Sequence, residues 1–151
     1  MSTVSATVDL DCPPENVWNL IMDPSRFGEW VSIHRKLCDA DEGPVREGFK
    51  VEQRMALRGA PFTVRWTLKE CDAPTLGVWE GKGPAGSYAR VVNRLKPNGN
   101  GGTHYEYENT FEAPGGAMGR LASRVLVGGM PKREADKSLQ NLKRLLERGR
   151  G

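Results

Sequence analysis

Three side-chain amides interrupt apolar runs of the sequence and are the first candidates for chemistry. Gln53, Asn93 and Asn109 each fall on the apolar side of an alternating segment. Burying an amide without a partner costs about 1–3 kcal/mol, so such a group is either paired inside the protein or faces a ligand. Tyr107 follows the same alternation and could donate a phenolic proton there. Tyr107 and Asn109 are therefore the candidates for a catalytic role, although Asn93 and Asn109, on two arms of one hairpin, could instead bond each other.

Other chemistry finds little support in the residue pattern. His34 and His104 are the two histidines, and neither stands near a cluster of acids or cysteines, so no metal site or cofactor is predicted. The run "GKGPAG", residues 81–86, matches GxGxxG, but an alternating segment follows it where a dinucleotide site requires a helix. This run therefore predicts a connection between two strands, at the rim of a site.

The elements that must position these residues follow from the hydrophobic period. Strict alternation of apolar and polar residues predicts half-buried strands. Alternating segments occur at residues 3–11, 48–59, 60–71, 75–83, 88–96 and 103–111. Gly59 predicts a hairpin between the second and third of these segments, and "PNGNGG" predicts another before the last. The segment at 75–83 leaves open whether Trp79 or Glu80 faces inward.

Helical spacing flanks these strands on both sides. Residues 13–30 predict two short helices, the second capped by Asp23, and they carry Trp18 and Trp30. Helical spacing returns from Gly116 to Leu146, with a break expected at Pro131. The order predicts an α+β fold: a curved antiparallel sheet of about seven strands around a long C-terminal helix, with two short helices after the first strand. Residues 1–151 are expected to form a single domain.

Bulk composition narrows the class of protein further. The 151 residues carry a net charge of +3, but the segment from residue 116 onward has nine Lys or Arg against three acids. No apolar run is long enough to span a membrane, and the N-terminus lacks the basic and apolar pattern of a signal peptide. Three unpaired-looking cysteines predict reduced thiols in a cytoplasmic protein.

The segments "PPENVW", "DPSRFGEW", "LKPNGNGGTHYEY" and "SLQNLKRLLE", in this order, resemble the START-like, or SRPBCC, superfamily of polyketide cyclases, dehydrases and lipid transporters. The fold of this superfamily is the helix-grip of the birch-pollen allergen class. Within it, "EWVSIH", "GAPFTVRWT" and "SLQNL" look closest to small actinobacterial members, some of which are described as toxins of toxin–antitoxin pairs.

The resemblance implies an apolar cavity between sheet and helix, and the strand facing supplies the residues expected to line it. His34 and Trp30 are expected at the mouth. The predicted lining comprises Gln53, Met55, Phe62, Val64, Trp66, Val91, Asn93, Tyr105, Tyr107, Asn109, Leu121 and Val125.

Three functions are consistent with this reading. The first is binding or transport of a hydrophobic small molecule, such as a lipid or a polyketide. The second is a polyketide cyclase or aromatase, the activity expected if the protein is an enzyme. The third is a toxin-like module that contacts RNA or the ribosome through a basic helix face; no DNA partner is expected, and the oligomeric state stays open. That face would comprise Arg120, Arg124, Lys137, Lys143 and Arg148.

Overall fold

The structure is a computed structural model that describes residues 2–112 and 131–148. The predicted cavity residues Leu121 and Val125 lie outside the described residues. So do Arg120 and Arg124 of the predicted basic face.

Seven strands account for about half of the described chain. They are β1 (Ser2–Leu10), β2 (His34–Ala40), β3 (Lys50–Leu57), β4 (Ala60–Asp72), β5 (Leu76–Lys82), β6 (Tyr88–Pro97) and β7 (Thr103–Glu112). All neighbouring pairs are antiparallel, and the order across the sheet is β1-β7-β6-β5-β4-β3-β2. The predicted fold class, a curved antiparallel sheet with short helices after the first strand and a C-terminal helix, is confirmed.

The β3–β4 hairpin forms where the sequence predicts it. Arg58 and Gly59 both have positive φ angles, of 52° and 79°, which is the backbone of a tight two-residue turn between twisted strands. On β3, residues 51, 53, 55 and 57 are buried and their neighbours are more exposed, so one face of the strand is dry. The alternation therefore sets which side chains point into the concave side of the sheet.

Strand β2 has no equivalent signal in the sequence. It lies at the edge of the sheet, and its register with β3 shifts between His34 and Lys36 and again between Leu37 and Asp39. Each shift interrupts the two-residue period. The alternation of apolar and polar residues therefore predicts no strand at residues 34–40.

The two short helical segments lie between β1 and β2. Helix α1 (Pro14–Ile21) starts with proline at its first position and buries Val17, Trp18, Leu20 and Ile21. A 3₁₀ turn (Pro24–Arg26) then leads into α2 (Phe27–Trp30), and Asp23 caps the turn by accepting the Ser25 backbone N–H at 3.0 Å. The predicted cap at Asp23 is confirmed.

Helix α3 (Lys132–Arg148) begins directly after Pro131, whose carbonyl accepts the Glu134 and Ala135 N–H groups. Its buried face includes Ala135, Leu139 and Leu142, spaced at helical intervals, and it packs on β1 and α2.

Several hydrogen bonds tie α3 to the segment that follows α2. Ser138 Oγ accepts the Ser32 backbone N–H at 2.9 Å, and Ser32 Oγ donates to Glu134 Oε2 at 2.6 Å. Asn141 Nδ2 donates to the Trp30 carbonyl at 3.2 Å. The backbone around Trp30 is thus held by the C-terminal helix.

The concave side of the sheet has two unlike halves. In the half that we call the packed half, α1 touches the sheet directly: a Cβ on Gly77 would lie 2.9 Å from Met22 Cε and 3.2 Å from Trp18 Cη2. Leu95 and Tyr105 are fully buried there. In the other half, which we call the hollow half, a cavity separates β3 to β7 from α2 and the chain after it.

Candidate ligand-binding site

The cavity in the hollow half has a volume of about 110 Å³. Three groups of side chains surround it: the inward positions of the central strands, the helical segment with its following turn, and the β5–β6 connection. Its described lining comprises Ile21, Phe27, Trp30, Val31, Ile33, Gln53, Met55, Leu57, Phe62, Val64, Trp66, Trp79, Gly83, Pro84, Ser87, Tyr88, Ala89, Val91, Asn93, Tyr107, Asn109 and Phe111. None of these described residues carries a formal charge at neutral pH.

Glycine on β5 makes room for the large side chains of β4. A Cβ on Gly81 would lie 2.6 Å from Trp66 Cε3 and 2.6 Å from Val64 Cγ1, well inside contact distance. The missing side chain therefore lets the Trp66 ring lie against the β5 backbone. The "GKGPAG" run begins with this glycine, and its Gly83 and Pro84 line the cavity, so the run serves packing and connection.

A hydrogen-bonded chain runs from the edge of the helical segment into the cavity wall. The Trp66 indole N–H donates to Gln53 Oε1 at 2.9 Å, and Gln53 Nε2 lies 2.9 Å from His34 Nδ1. Because an indole nitrogen can only donate, Gln53 must present its oxygen to Trp66 and its amino group to His34. His34 Nδ1 is then the acceptor, which assigns the neutral ring proton to Nε2.

Burial also favours the neutral form of His34. Desolvation, aided by the neighbouring Arg35 guanidinium, lowers the pKa of His34 below its usual value. The Phe27 ring meets the imidazole edge-on, with 6.4 Å between ring centroids. His34 is thus held as a neutral imidazole beside the cavity, where it supports Gln53.

Asn93 and Asn109 do not bond each other. Asn93 Oδ1 accepts the Tyr105 hydroxyl, and its amino group lies 3.5 Å from the Gly77 carbonyl. Asn109 Nδ2 donates to the Tyr107 hydroxyl at 3.0 Å. Each amide is therefore paired with a tyrosine.

The tyrosines of this region are poor acids at neutral pH. Burial raises the pKa of Tyr107 to about 12, outweighing the opposite effect of Asn109, and burial raises the pKa of Tyr105 well above its usual value. At the rim, burial and the Glu80 carboxylate, which accepts the Tyr88 hydroxyl at 2.5 Å, raise the pKa of Tyr88 to about 12. All three phenols stay protonated; Tyr105 and Tyr88 donate to Asn93 and Glu80, whereas the Tyr107 hydroxyl accepts the Asn109 amide.

On β5, Trp79 faces the cavity and Glu80 faces outward. Trp79 is 5% exposed and lines the cavity, whereas Glu80 lies on the opposite face of the sheet and bonds Tyr88. His104 likewise faces outward, where its Nδ1 lies 3.0 Å from Asp9 Oδ1.

Trp30, which is expected at the mouth of the cavity, is part of its described wall. It is 5% exposed and forms part of the cavity wall, because the short α2 helix turns its side chain inward toward the sheet. Among the described residues, its indole Nε1 is buried with no hydrogen-bond partner. Buried donors are nearly always paired, so this one is an exception that requires an explanation.

Most of the predicted lining residues surround the cavity together. Gln53, Met55, Phe62, Val64, Trp66, Val91, Asn93, Tyr107 and Asn109 are all placed there. Tyr105 is instead fully buried behind Asn93, in the packed half. That these residues bind a ligand remains a prediction.

Sequence reasoning missed the part of the wall that comes from outside the regular strands. Ile21, Phe27, Val31 and Ile33 come from the helical segment and the turn after it, and Ser87 follows the β5–β6 connection. The three-residue spacing of Phe27 and Trp30 was the available signal, since it places both side chains on one side of the segment.

The described part of the predicted basic face is exposed in part. Lys137 is exposed and Lys143 is half-buried, on α3. Among all residues that the structure describes, no group of three or more His, Cys, Asp or Glu could hold a metal ion. No described helix has the length and apolar character needed to cross a membrane.

Comparisons with known proteins identify the family to which this chain belongs. The family profile described as "Polyketide cyclase / dehydrase and lipid transport" matches residues 1–147. The chain therefore belongs to the polyketide cyclase/dehydrase and lipid transport family. The predicted family resemblance is confirmed.

Among curated relatives, the protein named Toxin Rv0910 of Mycobacterium tuberculosis strain H37Rv is 26% identical over 101 residues, covering 67% of this chain and 70% of the relative. The uncharacterized protein Rv1546 of the same strain is 24% identical over 133 residues, covering 87% and 93%. The crystal structure of TTHA0849 from Thermus thermophilus has a TM-score of 0.71 at 19% identity, covering 99% of each chain. DynU16, from a dynemicin biosynthetic locus, has a TM-score of 0.65 at 16% identity over 99% of this chain and 48% of that one. At these identities the structural likenesses show the fold alone.

Proposed function

We propose that the protein binds a hydrophobic small molecule in the hollow half of its sheet. The observation that carries this proposal is the character of the cavity, whose described lining is apolar apart from a few placed amides, hydroxyls and indoles and holds no charged side chain. Ligand sites in proteins have this composition: apolar walls provide affinity, and a few polar groups orient the bound molecule. Membership of a family that includes lipid transport supports the same reading.

Binding fits the described lining better than cyclase or aromatase chemistry does. Proton transfer at neutral pH is most efficient with a group whose pKa lies near 7. Burial raises the pKa of Tyr107 and of Tyr88 to about 12, and the amide of Asn109 cannot act as an acid or a base at neutral pH. These side chains are suited to holding a carbonyl or hydroxyl group in place.

A matched pair of variants tests the proposal. Ala89→Phe fills the cavity from β6, whereas Ala56→Phe puts the same ring on the opposite face of the sheet, and both parent residues are half-buried. The purified protein is examined by native mass spectrometry for a co-purified compound and is titrated with naphthalene by calorimetry. We expect Ala89→Phe to weaken naphthalene binding at least about tenfold, while Ala56→Phe leaves it unchanged. Equal effects of the two variants, or no binding by the folded wild type, would contradict the proposal.

A second candidate function follows from the relative named Toxin Rv0910. Inhibition of growth through an RNA or ribosome contact would use the exposed cations of α3, among them Lys137. Contacts with phosphates weaken steeply with salt. Expression of the chain should then arrest growth, and Lys137→Glu should relieve the arrest without changing naphthalene affinity; normal growth during expression would dismiss this candidate.

A further inference from the structure

We infer that the ligand of the cavity is a neutral compound whose apolar body carries a hydrogen-bond acceptor oxygen, and that the indole N–H of Trp30 binds this oxygen. The inference rests on the proposed function, because it names the chemical class of the molecule bound at the same site. A small aromatic ketone or ester is the simplest compound that fits.

The first support is the state of the Trp30 side chain. Its Nε1 is buried, lies in the cavity wall and has no hydrogen-bond partner among the described residues. An indole nitrogen donates and never accepts, so it can be satisfied only by an acceptor atom. An oxygen on the bound molecule would supply that acceptor.

The second support is that neighbouring polar groups are already engaged. Gln53 uses its oxygen for Trp66 and its amino group for His34. Asn93 accepts the Tyr105 hydroxyl. These bonds hold the two amides in fixed orientations within the protein, which leaves the Trp30 indole as a buried donor of the wall without a partner among the described residues.

The third support is the charge of the site. The described lining contains no Lys, Arg or His that could compensate a carboxylate or a phosphate, and no Asp or Glu that could compensate an amine. An ion buried without a partner loses its hydration and gains nothing in return. The oxygen that Trp30 binds therefore belongs to a neutral group.

The fourth support is size. The cavity measures about 110 Å³, and an engineered apolar cavity of about 150 Å³ in another protein accommodates benzene. The described cavity is somewhat smaller than that one, so its occupant is limited to about one aromatic ring with a short substituent. A ketone next to such a ring places one oxygen at its edge.

Two probes of nearly equal shape test the inference. Acetophenone carries a carbonyl oxygen, and isopropylbenzene replaces that oxygen with a methyl group. Affinities of both are measured by calorimetry for the wild type, Trp30→Phe and Trp18→Phe. Trp18→Phe is the matched control, because it also removes a buried indole, but one that packs against Gly77 and is not part of the described lining.

We expect the wild type and Trp18→Phe to prefer acetophenone by about three- to tenfold, and Trp30→Phe to lose this preference while it still binds isopropylbenzene. A preference that survives in Trp30→Phe, or equal affinities in the wild type, would overturn the inference while leaving the proposed function intact. Failure of both probes to bind the folded wild type would overturn the proposed function and the inference together.

A second measurement uses only the wild type and therefore does not depend on whether the variants fold. The Trp30 indole proton in an ¹H–¹⁵N spectrum should move downfield with acetophenone and much less with isopropylbenzene, because only the ketone accepts its hydrogen bond. The other indole protons provide the reference. Equal movement with the two probes would count against the inference.

Discussion

The packed and hollow halves of the concave face are built from the same strands and differ in what lies opposite them. On β6, Leu95 lies in the packed half and Val91 lines the cavity, four residues apart on one face of the strand. At Gly77 the sheet meets Trp18 and Met22 at contact distance, whereas Val91 borders the cavity that the described residues form. The difference thus comes from the path of the helical segment across the sheet.

The polar groups follow the same division. At the boundary with the packed half, the Tyr105 hydroxyl donates to Asn93, which also lines the cavity, and both side chains are buried. In the hollow half, Asn109 is half-buried and Trp30 has an unused donor among the described residues. The comparison teaches that one half of the sheet is organised to stabilise the fold, while the described part of the other half retains a buried donor without a partner.

The largest effect should come from removing a side chain in the packed half. Leu95→Ala should lower the free energy of unfolding by about 2–5 kcal/mol, because the side chain is fully buried and its loss leaves a void. Val91→Ala should cost less than about 1.5 kcal/mol, because Val91 is half-buried and already borders a cavity. Urea denaturation of the two variants measures both values. Similar losses of stability in the two variants would contradict the division of the concave face into a packed and a hollow half.

A smaller effect distinguishes the two asparagines. Asn93→Ala should lower stability by about 1–3 kcal/mol, because the buried Tyr105 hydroxyl loses its acceptor. Asn109→Ala should lower it by about 1 kcal/mol or less, because the site is half-buried and water can replace the amide. Urea denaturation measures both losses, and the double variant Asn93→Ala/Tyr105→Phe should recover part of the first. If Asn109→Ala were the more damaging change, the conclusion that Asn93 has the more strongly buried hydrogen bond would be wrong.

The smallest effect concerns pH and the edge of the hollow half. Burial lowers the pKa of His34 in the folded protein, so the unfolded chain, with an ordinary histidine pKa of about 6.5, takes up the proton first as pH falls. This contribution to stability is complete above that pKa and decreases as pH falls through it toward the lower pKa of the folded state. His34→Gln should therefore flatten the loss of stability between about pH 7 and pH 5, measured by urea midpoints.

His104→Gln is the matched control for this measurement, because His104 lies on the outer face beside Asp9 rather than against Gln53. The loss of stability toward acid should persist in this variant. An unchanged pH dependence in His34→Gln would show that the chain from Trp66 through Gln53 to His34 does not hold the imidazole neutral.

Alternation predicted the strands and their facing because one face of an antiparallel sheet is dry. The buried positions of β3 and the inward set of β4, including Gln53 and Trp66, follow directly from the period of two. The same rule predicted that amides would be found inside. It could not predict their partners, because pairing depends on register: Asn93 lies opposite Tyr107 on β7 yet bonds Tyr105 two residues away.

The remaining features depend on tertiary geometry. Strand β2 escapes pattern reasoning because its bulges break the alternation. Trp79 and Glu80 could not be distinguished because β5 carries Gly77 and Gly81 at inward positions, which removes the apolar residues that would mark its face. The inward orientation of Trp30 depends on how a four-residue helix packs on the sheet, and no local sequence pattern indicates this packing.

The bond from Asn141 to the Trp30 carbonyl, with the contacts of Ser138 to Ser32, has a consequence for how the interior and the exterior communicate. A rotation or slide of α3 would strain these bonds and reposition the indole that faces the cavity. If a molecule bound in the cavity favours one position of α3, a partner that holds the outer surface of the helix in that position would raise the affinity of the cavity for this molecule, and the molecule would raise the affinity for the partner by the same factor.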